Sequence, residues 1–199
     1  NVMRLETELF ADPAEIEAYY VSIVTALAGK GLPIIVKLSR YHTNLPMLVD
    51  KLRAAGAAAV TLFNRSYQVD IDLNREQLIG GEVFSHEGNF TETLRFAGVI
   101  RGCVPNVGIS ASTGIYTWEE LTKVLLAGAD TAQMCTAVYK QGATAIAEAL
   151  KGLRHWMIEH GYQSLSELRG RLSYGAVADP SLFERIQFMK YFNARAAQD

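Results

Sequence analysis

A short apolar run followed by a helical period, repeated four times, is the feature that most restricts what this chain can fold into. Pro33-Ile34-Ile35-Val36-Lys37-Leu38-Ser39 and Ala58-Ala59-Val60-Thr61-Leu62-Phe63-Asn64 read as strands, and each ends in a polar residue. Asn106-Val107-Gly108-Ile109-Ser110-Ala111-Ser112 and Asp130-Thr131-Ala132-Gln133-Met134-Cys135-Thr136 are apolar on both faces, as strands of a covered parallel sheet are. Between and around them the spacing predicts amphipathic helices over Pro13–Ala28, Met47–Ala55, Thr91–Arg101, Thr117–Ala127 and Tyr139–His160. Start and stop signals agree. Asp12-Pro13 opens the first helix with proline at its first position, Thr117 precedes Glu119 and Glu120 as an N-cap, and Gly56 and Gly128 follow final turns.

Strands alternating with helices imply right-handed crossovers and a parallel sheet. A doubly wound sheet and a barrel both satisfy that pattern. Polar groups close all four strands (Lys37 and Ser39, Asn64, Ser112 and Thr113, Thr136), which favours the barrel, because barrels build sites on the carboxyl rim from many strands at once. The expected fold is therefore α/β, a (β/α)8 TIM barrel, read as one domain over residues 1–199. Four strands do not close such a barrel. The chain starts at Asn1 without an initiating methionine, so the expectation is that only the second half, strands five to eight and the C-terminal helices, is present.

Residues 65–90 break the repeat and are longer than a usual βα connection, which suggests a functional excursion above the rim. The alternation Val69-Asp70-Ile71-Asp72-Leu73 is expected to form a short strand, paired with Glu82-Val83-Phe84. After His160, helical pieces are expected over Ser164–Leu172 and Pro180–Phe192.

A net charge of -2 and a pI near 6.1 provide no field to draw the chain to nucleic acid or anionic lipid. No apolar run approaches a membrane span, and Arg4-Leu5-Glu6-Thr7-Glu8 lacks the order of a signal peptide. Cys103 and Cys135 lack metal or redox spacing, so reduced cysteines in a cytoplasmic protein are expected.

The candidate chemistry lies at the strand ends. Ser112-Thr113-Gly114-Ile115 and Cys135-Thr136-Ala137 are small-residue turns that expose backbone N–H groups. In barrels the last two such turns commonly hold a phosphate. Lys37 interrupts an apolar strand, where an unpaired ammonium is costly, so it serves either a ligand or a structural ion pair with a neighbouring strand. Asn64 both donates and accepts, as a ring amide requires, or else caps a turn. His42 and His86 are loop histidines, solvated or proton-carrying. Cys135 reads more readily as a buried small residue than as a nucleophile, and no metal site emerges. Trp118, Trp156, Phe183, Phe188, Tyr191 and Phe192 follow helical spacing and read as packing.

Val36-Lys37-Leu38, Asn64, Leu125-Leu126-Ala127-Gly128-Ala129-Asp130, Gln133-Met134-Cys135-Thr136-Ala137, Tyr139-Lys140-Gln141-Gly142 and Arg169-Gly170-Arg171-Leu172 together resemble the dihydroorotate dehydrogenase family over nearly the whole chain. Phe183 to Phe192 resembles a divergent, dihydroorotate dehydrogenase-like subgroup. The resemblance implies an FMN-dependent oxidoreductase of pyrimidine biosynthesis, converting dihydroorotate to orotate or acting on a similar small ring. The cofactor phosphate would lie on Thr113, Gly114, Cys135 and Thr136, with Lys37 beside the flavin ring and Asn1 and Asn64 facing the substrate. A homodimer is a further expectation. Where the family carries a cysteine or serine base, this chain reads Val2-Met3-Arg4-Leu5, so no catalytic residue is assigned. The rival reading is a flavin-binding or structural relative without the dehydrogenase activity. A phosphate-binding barrel isomerase or aldolase, using Lys37, also stays open from the two turns alone.

Overall fold

A computed structural model describes residues 7–186. The parallel strands are β1 (Ile34–Leu38), β2 (Ala57–Leu62), β5 (Gly108–Ser112) and β6 (Thr131–Gln133), and β3 (Val69–Asp72) and β4 (Gln77–Gly80) form a separate antiparallel hairpin. The main helices are α1 (Pro13–Leu27), α2 (Leu45–Ala54), α3 (Phe90–Cys103), α4 (Trp118–Ala127), α5 (Cys135–Gln141) and α6 (Thr144–Glu159). Two single turns, α7 (Leu165–Leu168) and α8 (Ser181–Glu184), follow.

The large sheet runs β1-β2-β5-β6, all parallel and in chain order. A doubly wound sheet reverses its order at a switch point, and this sheet has no such reversal. Helix α2 packs on β2, α3 on β2 and β5, and α4 on β6, with α1–α2, α2–α3 and α3–α4 in contact. The helices thus form one continuous layer.

Register explains why the two faces of the sheet differ. Val36 aligns with Val60 and Ile109, and Leu38 with Leu62 and Ala111; all six are buried. Residues in register point to the same face, so these rows form the apolar side, against which Leu48, Leu52 and Ile100 of the helices are also fully buried. Each buried leucine or isoleucine contributes roughly 1.5–3 kcal/mol. The intervening row, Lys37, Thr61, Ser110 and Thr131, is polar and points the other way. Gln133 Nε2 donates across it to Thr61 Oγ1 (3.3 Å) and Ser110 Oγ (3.1 Å).

Local chemistry sets the helix starts. Asp12 accepts from the Ala14 N–H at 2.8 Å, and Thr117 and Glu120 form a reciprocal capping box on α4.

Several expectations are corrected. The strand expected over Asn106–Ser112 starts at Gly108, because Asn106 takes a left-handed φ of 56°. The strand expected over Asp130–Thr136 ends at Gln133, and Cys135 and Thr136 instead open α5; β6 is paired on one side only, so little holds a longer strand. The helix expected over Tyr139–His160 is broken at Gly142, whose φ of 78° lets the chain leave α5 and re-enter α6. Val69–Asp72 pairs with Gln77–Gly80, not with Glu82-Val83-Phe84, because a four-residue turn closes the nearer partner first. The piece expected over Ser164–Leu172 is helical only at α7, and that over Pro180–Phe192 only at α8, residues 187–192 lying outside the described residues. Cys135, expected to be a buried small residue, is exposed at the start of α5, and Cys103 is exposed at the end of α3.

Candidate functional site

At the carboxyl ends of the parallel strands lies a cavity of about 190 Å³. Lys37, Asn64, Thr113, Gly114, Cys135 and Thr136 all line it, delivered by β1, by the residues after β2, by the turn after β5 and by the start of α5 after β6. The chain therefore brings together the six described residues that sequence reasoning selected. The remaining one, Asn1, lies outside the described residues, as does Val2-Met3-Arg4-Leu5.

Each position has a local cause. Lys37 belongs to the polar row of β1 and is partly buried; among the described residues it has no ion-pair or hydrogen-bond partner, so the expected alternative of a structural ion pair is not realised there. Asn64 is fixed by its own N–H, which donates to the Leu38 carbonyl at 2.7 Å and continues the β1–β2 ladder beyond β2. Thr113 takes a left-handed φ of 81° and donates its hydroxyl to the Phe63 carbonyl at 3.2 Å. Gly114 follows with φ 77°, and a Cβ there would lie 2.5 Å from the Phe90 nitrogen at the start of α3. Glycine alone permits both the turn and the approach.

Sequence reasoning assigned no role to three other lining residues of consequence, Arg65, Ser85 and Gln133. Ser85 comes from the 65–90 excursion, and its hydroxyl donates to Thr136 Oγ1 at 3.0 Å while its carbonyl accepts from the Tyr116 hydroxyl. Phe84 beside it packs on Tyr139 (4.9 Å between ring centroids) and under the Lys140 ammonium (5.3 Å). The excursion is thus docked on α5 and forms a wall of the cavity. Its length was the signal; which of its residues would turn inward was not readable locally.

A second cavity of about 220 Å³ adjoins the first and shares Asn64, Arg65 and Thr113 with it. Arg40, paired with Glu92, and His86, whose Nε2 is 2.5 Å from Glu82 Oε2, line this part. Arg65 Nη2 donates to the Glu82 carbonyl at 2.7 Å, and Asn89 Oδ1 accepts from the His86 N–H at 2.7 Å, fastening the excursion to the rim. The Tyr41 hydroxyl nearby is held below its usual pKa, chiefly by a hydrogen bond from Ser66. His42 lines neither cavity; its ring packs edge-on against Tyr20 at 5.3 Å, and burial, only partly opposed by Glu17, pushes its pKa below the usual value. Trp118 and Phe183 are packing residues as expected, covering Gly152 and Gly98. Among the described residues no cluster of His, Cys, Asp and Glu has metal-binding geometry, and no helix is long and apolar enough to cross a membrane.

The arrangement sets hydrogen-bond donors for an anion beside a small apolar patch. Hydroxyls from Ser112 and Thr136 and the backbone of the Gly114 turn are donors for an anion, while Val83 and Ile115 give apolar contact. The two adjoining cavities together fall within the roughly 300–1,000 Å³ of small-molecule sites.

A singly ordered parallel sheet with such a cleft at its carboxyl edge defines an α/β protein whose candidate site lies where the strands end. No family model matches the chain. It is 29% identical over 143 residues, 69% of its length, to the catalytic subunit of dihydroorotate dehydrogenase B (NAD(+)) of Pyrococcus abyssi, 47% of which is covered. The corresponding subunit of Bacteroides fragilis is 30% identical over 142 residues, 70% of this chain and 46% of the relative. The NAD-dependent dihydropyrimidine dehydrogenase subunit PreA of Escherichia coli is 26% identical over 152 residues, 71% of this chain and 37% of the relative. The chain is thus similar to dihydroorotate dehydrogenase-like oxidoreductases, and it spans about half the length of the curated relatives it matches.

Proposed function

We propose that this chain is the flavin-holding half of an FMN-dependent oxidoreductase acting on dihydroorotate or a similar small ring. The observation that carries the reading is the single cavity lined by Lys37, Asn64, Thr113, Gly114, Cys135 and Thr136. Thr113, Gly114, Cys135 and Thr136 would hold the phosphate, Lys37 would lie beside the ring system, and Asn64, with Asn1, would face the substrate. FMN, when bound, supplies a two-electron acceptor for hydride removal. Lys37 offers a fixed positive charge where negative charge develops on reduction, and Asn64 orients a ring amide through one donor and one acceptor. Val83 and Ser85 of the 65–90 excursion form one wall of the site.

The sequential order of the four parallel strands and the half-length match to the relatives support a (β/α)8 barrel of which these are the last four strands. A cytoplasmic location and a homodimer complete the proposal.

The test is to purify the full-length protein, denature it and measure released flavin, then add dihydroorotate under anaerobic conditions and follow bleaching. The expected result is a yellow protein with about one FMN per chain that bleaches. A colourless protein that takes up no FMN overturns the reading. A yellow protein inert toward dihydroorotate and dihydrouracil instead assigns the rival, a flavin-binding relative without the dehydrogenase reaction, which the absence of thiol and hydroxyl side chains in Val2-Met3-Arg4-Leu5 favours.

A further inference from the structure

The charges around the cleft are unequal in a way that bears on the substrate. Among the described residues, the first cavity is lined by two cations, Lys37 and Arg65, and by no carboxylate. The second contains Glu82 and Glu92, but each is engaged: Glu82 by His86 and Glu92 by Arg40. Arg65 lines both cavities, together with Asn64 and Thr113. Among the described residues its two hydrogen bonds go to neutral acceptors, the Glu82 carbonyl at 2.7 Å and Asn89 Oδ1 at 3.4 Å, and no carboxylate forms an ion pair with it. A guanidinium has five N–H donors in a planar fork, and two bonds leave donors free to meet a carboxylate.

We propose that Arg65 is the specificity-determining residue of this cleft, selecting a ring substrate that carries a carboxylate over a neutral dihydropyrimidine. The inference rests on the reading of the cleft as the site of a ring substrate, and it separates the two substrate types named in the chain's relatives. Asn64 precedes Arg65 in the chain, so the ring-amide reader and the carboxylate reader sit side by side at the end of β2. A neutral ring gains nothing from the guanidinium charge and must still displace water from it. A ring acid forms a charge-assisted pair, the stronger class of hydrogen bond.

The test is calorimetric titration of the full-length protein with orotate and, separately, with uracil, for wild type, Arg65→Gln and Arg65→Lys. Flavin content is measured on each preparation, and the titrations are run with and without added FMN, so a failure of the flavin reading leaves the comparison of the two rings intact. The expected result is that wild type binds orotate at least about tenfold more tightly than uracil. Arg65→Gln should weaken orotate by about tenfold to a hundredfold while changing uracil affinity and flavin content less than about twofold, and Arg65→Lys should recover part of the loss. Equal affinities of wild type for the two rings overturn the proposal, and this arm needs no variant to fold. Unchanged orotate affinity in Arg65→Gln, or equal weakening of both rings, also overturns it. Loss of FMN with ring binding intact would show that Arg65 holds the cofactor phosphate instead, and the proposal falls.

Discussion

Replacing Gly114 with alanine tests whether the turn after β5 is held by backbone-to-backbone contact. At φ 77° an alanine adopts the left-handed region, which costs about 1–2 kcal/mol. The added Cβ would also lie 2.5 Å from the Phe90 nitrogen, 2.8 Å from the Asn89 carbonyl carbon and 3.0 Å from the Asn89 Cβ. Two of these three atoms are backbone at the entrance to α3, and Phe90 is buried, so neither side yields without moving a helix. Such overpacking costs about another 1–3 kcal/mol. For a domain of this size each kcal/mol lowers Tm by about 2–4 °C, so a fall of about 4–20 °C is expected. Gly29→Ala is the control: Gly29 has φ 78° but nothing within 4 Å of its Cβ position, so only the backbone component is lost. Thermal unfolding of both variants by circular dichroism, with flavin content measured alongside, makes the comparison. A Gly114→Ala protein that melts no lower than Gly29→Ala would show that the contact with α3 is slack and the argument wrong.

Lys37→Ala should weaken flavin binding or slow flavin reduction by about ten- to a hundredfold, the worth of one charge-assisted hydrogen bond, with a smaller change in Tm because a partly buried ammonium is removed. Ready unfolding with normal flavin content in the surviving fraction would assign Lys37 a structural role. Asp130→Asn should cost about 1–3 kcal/mol in urea unfolding, since Oδ2 accepts from Arg101 at 2.6 Å and from the Ile109 N–H at 2.8 Å, tying α3, β5 and the approach to β6 together; an unchanged midpoint would contradict this. His42 sets a pH dependence. Burial lowers its folded pKa below the unfolded value near 6.5, so the unfolded chain binds the proton first, and stability present above about pH 6.5 is lost as pH falls toward the folded value. Urea midpoints measured from about pH 7.5 down to pH 5 should fall less steeply in His42→Gln than in wild type, and parallel slopes would remove His42 as the cause.

What could be read without coordinates was what short-range chemistry decides. Asp12-Pro13 and Thr117 with Glu120 open helices wherever they occur, because a cap needs only residues within one turn. The four apolar runs became the four parallel strands for a similar reason, since each run carries its own burial pattern. The residues chosen for the cleft were also legible, because a polar residue closing an apolar run must sit at a strand end. Tertiary structure alone decided the rest. Cys135 is exposed, and opens α5 instead of closing β6, because β6 has one pairing neighbour and ends after three residues. Ser85 reaches Thr136 across 51 positions of chain, and Gln133 reaches Thr61 across 72, distances over which no local pattern carries information. Arg65 carried no local signal, and only the folding of residues 65–90 back onto the rim left its guanidinium in the cleft with neutral hydrogen-bond partners. Local sequence specifies which backbone groups are satisfied nearby, whereas the charge balance of a cavity depends on which distant side chains the completed sheet and excursion bring to face one another.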